Sequence, residues 1–209
     1  MRKRLGSLAH IPESEMKEIL MLKDRLTTLE SQDKCRDSFM EYVRYIWDGF
    51  IEGEHHRLIA DKLTEVAQGK CKRLIVNMPP RHTKSEFASV YFPSWIMGLK
   101  PDMKIMQTTH TADLSIRFGR KVRNLMDTQE YKRMFDNVSL AADSKSAGRW
   151  ETSQGGEYFA AGVGGAITGR GADLLIIDDP HSEQDALSET AMESAYEWYT
   201  SGPRQRLQP

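Results

Sequence analysis

Cysteine is scarce in this chain. Only Cys35 and Cys71 occur among 209 residues, and neither sits in a CxxC or Cys/His array. Neither a disulfide framework nor a zinc site is indicated, and both thiols read as buried or idle. Long apolar runs are missing too: none approaches the roughly 20 residues that a membrane span needs. The opening stretch, MRKRLGSLAHIPESE, has no apolar segment of the secretory kind. The expectation is a cytosolic protein without a membrane partner. An excess of one charge is also lacking, since the formal net charge is −1. Whole-chain electrostatics therefore do not announce nucleic-acid binding, and any such contact must be local. Two segments could supply it, RFGRKVR (Arg117, Arg120, Lys121, Arg123) and PRQRLQP (Arg204, Arg206). A solvated helix face is the plainer reading of both. There is no internal repeat, low-complexity tract or Gly/Ser linker. What remains is ordinary globular composition, 39% hydrophobic and 28% charged, enough for one main domain with a true core.

Periodicity divides the chain into two parts. From Glu13 to about Leu29, apolar residues recur near helical spacing (Met16, Ile19, Leu20, Leu26, Leu29), after Pro12 and with Glu13 and Glu15 at the start. A second helix carries Phe39, Tyr42, Val43 and Ile46 on one face, and a third is expected from His55 to Ala67, ended by Gly69. The pattern then changes to short β-branched apolar runs: RLIVNM (Arg73 to Met78), KIMQTT (Lys104 to Thr109) and DLLIID (Asp173 to Asp178). Helical stretches follow the first two, Ser85 to Met97 and Ala112 to Met126. This alternation predicts an α/β fold, a mainly parallel sheet with helices on both faces and a ligand site beyond the carboxyl ends of the strands.

Immediately after the first expected strand, MPPRHTKSE leads into a helix with Lys84 and Ser85 at the junction. That is the place for a phosphate-binding loop. Backbone N–H groups at the helix start cradle phosphates, a lysine reaches the β and γ phosphates, and a hydroxyl helps hold Mg²⁺. Pro80, Arg81, His82, Thr83, Lys84 and Ser85 are the candidate nucleotide-binding residues. Met78 and Thr83 stand where GxxxxGK[ST] has glycines. A β-branched residue at positive φ would cost on the order of 1–2 kcal/mol, so right-handed or extended backbone is expected at Thr83.

GRGADLLIIDDP places Asp178 and Asp179 at the carboxyl end of an apolar strand, where paired carboxylates require a positive partner. Mg²⁺ suits that role. Asp178 is assigned to the metal together with Ser85, and Asp179 to orienting and deprotonating a water. Neighbouring strand residues face opposite ways, so the strand must end or twist there. A loop-capping aspartate pair is the alternative.

HHRLIADKL, RLIVNMPPRHTKSE, TTHTADLSIRFGRKVR and GGAITGRGADLLIIDDP together resemble the large terminase subunits of tailed phages, in the subgroup whose loop reads PPRHGKS. The resemblance covers roughly residues 50–209. Thr83 departs from that subgroup's glycine, and Asp179 from the glutamate usual in terminases. The resemblance implies a P-loop NTPase of the additional-strand class at 50–209, preceded by an N-terminal helical extension at 1–49. It also implies ATP and Mg²⁺ as ligands, with packaging of double-stranded DNA as the activity. Its expected partners are a portal protein and a small terminase subunit, with the chains in a homo-oligomeric ring in the cytoplasm of an infected bacterium. The chain would then be the ATPase part, incomplete at its C-terminal end and without the family's nuclease domain. Arg170, in the TGRG turn between Gly169 and Gly171, is the candidate arginine finger. Pairing with Asp173 or Asp185, or contact with DNA, is its alternative. Two readings compete with the motor: a helicase-like P-loop ATPase, and a non-catalytic module that docks on DNA or a portal.

Overall fold

The computed structural model describes residues 12–143, 146–167 and 169–207. Helices come first: α1 (Glu13–Asp37), α2 (Phe39–Ile46) and α3 (Glu54–Ala67). A loop leads to α4 (Lys84–Glu86), a π-helical turn (Phe87–Tyr91) and α5 (Phe92–Leu99). The α/β part follows as β1 (Lys104–Thr109), α6 (Ala112–Met126), α7 (Gln129–Met134), β2 (Arg149–Glu151), β3 (Glu157–Gly162), β4 (Leu174–Ile177) and α8 (Glu189–Ser201).

The four strands form a small mixed sheet in the order β2-β3-β1-β4. β1 runs parallel to β3 and β4, and β2 is an antiparallel edge on β3. Alternation along β1 and β4 divides the core. Ile105, Leu174 and Ile176 pack into the larger cluster, while Met106 and Leu175 turn to a smaller one with Ala161, Ile167 and Trp198. Both faces are covered, which is why these strands read as continuous apolar runs.

Aromatic residues build the larger cluster. Phe39 lies edge-on to Phe87 and Phe92, with centroids 5.6 and 5.7 Å away, and all three rings are buried. Two buried polar tips find partners, as such groups usually do. Trp95 Nε1 donates to the Cys35 carbonyl (2.7 Å) and Tyr42 Oη shares a hydrogen bond with Ser94 Oγ (2.6 Å). Helix α2, capped by Ser38 whose side chain accepts from Glu41 N–H, is thus part of the core of the α/β body. Gly69 closes α3 as expected, at φ +73.

One expected strand is not formed. Segment 73–78 joins no ladder among the described residues, although its burial alternates with period two. Leu74, Val76 and Met78 rest on the core while Ile75 is 85% exposed. Apolar alternation specifies which side chains are buried; a ladder also requires backbone hydrogen bonds to a neighbouring strand, and segment 73–78 makes none among the described residues. Conversely, β2 and β3 gave little sequence signal, being short or rich in alanine and glycine. They are placed by packing. The Trp150 and Tyr158 rings stack at 4.9 Å and 3°, and Trp150 Nε1 donates to the Gly119 carbonyl (3.1 Å). A Cβ at Gly119 would lie 2.6 Å from the Ala147 carbonyl oxygen and 2.8 Å from the Tyr158 ring. The RFGR glycine therefore lets α6 lie close to this edge.

Candidate phosphate site

The loop before α4 is left-handed at two non-glycine residues, Arg81 (φ 63) and Thr83 (φ 60, ψ 12). This corrects the expectation of right-handed or extended backbone at Thr83. Strain there, on the order of 1–2 kcal/mol, is offset by side-chain bonds. His56 Nδ1 accepts from Gly53 N–H (2.8 Å), and Nε2 lies 2.6 Å from Thr83 Oγ1. With Nδ1 accepting, the proton is on Nε2, which donates to the threonine. Thr83 Oγ1 in turn donates to the His82 carbonyl (2.6 Å). His56 is only 5% exposed and packs on Phe50 and Phe87. Burial, with a smaller contribution from the His55 charge, pushes its pKa below the usual histidine value. His82 caps the loop's outer side, Nδ1 donating to the Pro80 carbonyl (2.9 Å), while Pro80 and Arg81 are exposed.

Lys84 begins α4 and reaches across to the sheet, where its Nζ donates to Asp179 Oδ1 at 2.6 Å. Ser85 is half-buried beside it. β4 ends at Ile177, one residue before the acidic pair. Asp178 N–H still donates to the Thr108 carbonyl (2.9 Å), but Asp179 turns to φ 44. The two carboxylates therefore part ways. Asp178 is 6% exposed and accepts from Ser89 Oγ (2.9 Å); Asp179 is largely in solvent apart from Lys84.

Ser89 and Gln107 extend the site beyond the residues that the sequence suggested. Ser89 lies in the π-helical turn, just ahead of Pro93, which has no N–H to donate to the Ser89 carbonyl. Widening of the helix there places Ser89 Oγ against Asp178. Gln107 Nε2 donates to Ser89 Oγ (3.1 Å), and its buried Oε1 has no partner among the described residues. A glutamine inside the apolar run KIMQTT was the signal that could have found it. Among the described residues no three His, Cys, Asp or Glu side chains gather into a metal cage. Mg²⁺ does not require one, since it takes one or two carboxylates, hydroxyls and waters together with phosphate oxygens. Asp178 and Ser85 fit that chemistry.

Arg170 is held away from these groups. Its guanidinium pairs with Glu157 and sits 4.3 Å over the Phe159 ring, so the side chain is half-buried rather than free on an exposed turn. Asp173 and Asp185 have other duties. Asp173 accepts from Lys104 N–H (2.8 Å), and Asp185 accepts from the Ser182 hydroxyl (2.7 Å) and amide (3.0 Å), which lower its pKa. In the basic run, Lys121 pairs with Glu86 and so ties α6 to α4, whereas Arg117 and Arg120 are exposed. Arg204 is exposed and the Arg206 carbonyl accepts from Ala172 N–H (2.8 Å). Within the TGRG turn, Thr168 lies outside the described residues. No protein-family model matches this chain, and no curated protein matches it significantly.

Proposed function

We propose that the chain binds Mg·ATP on the loop of residues 80–85 and hydrolyses it, as the ATPase part of a terminase-like DNA-packaging motor. The observation that carries the ATP reading is the convergence of two parts distant in sequence: the loop lysine with its following helix, and the acidic strand end, where Lys84 meets the exposed Asp179 and Ser89 the buried Asp178. Lys84 and the first N–H groups of α4 would receive the β and γ phosphates. Bound Mg²⁺, held by Asp178 and Ser85, would neutralise phosphate charge. Once Lys84 turns to phosphate, Asp179 is released as a solvent-facing carboxylate suited to orient the attacking water and take its proton.

The terminase part rests on the resemblance of the four motifs in order, and with it the proposed DNA, portal and small-subunit partners, the ring and the host-cell setting. A helicase-like ATPase would share the same site and differ in its partners. Calorimetry of the chain with Mg·ATP tests the shared core of both readings. Binding should be measurable, and Lys84→Ala should weaken it about 10- to 100-fold, the loss of one or two charge-assisted hydrogen bonds to phosphate. Equal binding by both proteins would overturn the phosphate-loop reading. DNA-stimulated turnover, compared between duplex and single-stranded DNA, then separates motor from helicase.

A further inference from the structure

Among the described residues helix α1 is anchored at only one end. Cys35 is buried, its carbonyl holds Trp95, and Arg36 Nη2 donates to the Met134 carbonyl (2.8 Å). Every residue from 12 to 30 is exposed. That projecting part exposes Met16, Leu20 and Met21, and four further apolar side chains fall on one line: Ile19 is 47% exposed, Leu22 59%, Leu26 58% and Leu29 48%. Their spacing of three, four and three residues is that of a heptad seam, with Ile19 and Leu26 at a, and Leu22 and Leu29 at d. A solvated helix has no use for such a seam, and a contiguous apolar stripe of this kind marks an interaction surface.

The flanking charges identify the partner. Glu18 and Arg25 fall at g, Lys23 and Glu30 at e. Among the described residues none of these four side chains has a partner in its own chain. In a parallel in-register pair, each g residue faces the e residue of the next heptad on the other strand. Glu18 then meets Lys23 of the second copy, and Arg25 meets Glu30 of the second copy. An antiparallel pairing of the same seam would instead set Lys23 against Lys23 and Arg25 against Arg25. We propose that α1 forms a parallel two-stranded coiled coil with a second copy of this chain, through Ile19, Leu22, Leu26 and Leu29. Isoleucine at an a position with leucine at both d positions favours two strands over more. Such a dimer does not depend on the nucleotide site.

Sedimentation equilibrium of the whole chain tests it. A concentration-dependent dimer is expected, and Leu26→Lys should raise its dissociation constant about tenfold or more, as loss of a buried leucine from each strand implies. Leu20→Lys, off the seam, should leave it unchanged; both variants alter exposed positions, and circular dichroism checks that they fold. Glu18→Lys should weaken the dimer about tenfold, because two pairs turn from attractive to repulsive, and adding Lys23→Glu should restore it. With Cys71→Ser in the background, Leu22→Cys should cross-link to itself on oxidation, as only the parallel arrangement allows. A monomer at hundreds of micromolar, equal effects of Leu20→Lys and Leu26→Lys, or failure of the charge swap would overturn the proposal.

Discussion

The ion pair between Lys84 and Asp179 makes opposite predictions for its two members. Nucleotide must break the pair before the lysine can reach phosphate. At 2.6 Å the contact is close, but the Asp179 side chain is 62% exposed. Solvent therefore screens the pair, and its worth is only about 0.2–1 kcal/mol. Asp179→Asn keeps the side-chain shape, frees the lysine and removes a negative charge from the approach of a triphosphate. Mg·ATP should then bind about 1.4- to 5-fold more tightly than to the parent, with the gain shrinking as salt rises. Turnover should fall about 10²- to 10⁴-fold, the usual contribution of a positioned general base. Lys84→Ala moves the other way in binding, as proposed above. Calorimetry gives the affinities and single-turnover hydrolysis of labelled ATP gives the chemical step. If Asp179→Asn weakens binding as much as Lys84→Ala, Asp179 is a ligand to metal or phosphate; if it hydrolyses ATP at the parent rate, it is not the base.

Two further outcomes concern the neighbours of that pair. Asp178→Asn should abolish the Mg²⁺-dependent increment of ATP affinity while leaving binding in EDTA unchanged. Ser89→Ala leaves the buried Asp178 carboxylate one hydrogen bond short. It should cost about 1–3 kcal/mol of stability by urea unfolding. Persistence of the Mg²⁺ increment in Asp178→Asn would remove that residue from the metal site. Arg170→Ala loses both the Glu157 pair and the Phe159 contact. The fold should be destabilised by about 1–2 kcal/mol, and mixing this variant with Asp179→Asn chains should restore no ATPase. Recovery on mixing would show that the arginine leaves Glu157 to act on a neighbouring subunit.

The sequence exposed those parts of the fold where periodicity and burial coincide. β1 falls on Lys104–Thr109 and α6 on Ala112–Met126, as read from the pattern, because both present regular faces to a core. The acidic strand was equally plain, since the apolar run Leu174–Ile177 is bounded by Asp173 on one side and by Asp178 and Asp179 on the other. Less visible was anything fixed by distant partners. Segment 73–78 has strand composition without a ladder, and β3 has a ladder without strand composition, because pairing depends on what lies alongside. Thr83 is the sharpest case: local energetics argue against positive φ, and the decisive partner is His56, 27 residues earlier. Ser89 reaches Asp178 only because the helix widens ahead of Pro93, a deviation that helical spacing does not reveal.

His56 also links the loop to pH. Both ring nitrogens are engaged by the neutral form, Nδ1 as acceptor from Gly53 and Nε2 as donor to Thr83, so a proton added at Nδ1 would confront the Gly53 N–H. The pKa of His56 lies below its unfolded value of about 6.5. Stability from these bonds is therefore fully present above that value and is lost as pH falls through the lower, folded pKa. The charged neighbours oppose one another: His55 and His82 push the value down, while Glu52, held ionised by Arg44 and Arg57 with its own pKa lowered to about 2, pulls it up. His56→Phe keeps the ring packing on Phe50 and Phe87 but removes both bonds. It should lose about 1–3 kcal/mol near neutral pH. The informative quantity is the difference in urea-unfolding free energy between the two proteins, in which contributions common to both cancel. That difference should shrink on acidification below about pH 6.5, by at most about 1.4 kcal/mol per unit, the slope for a single proton. A difference that stays constant to about pH 5 would mean that the Gly53 and Thr83 bonds do not depend on a neutral imidazole.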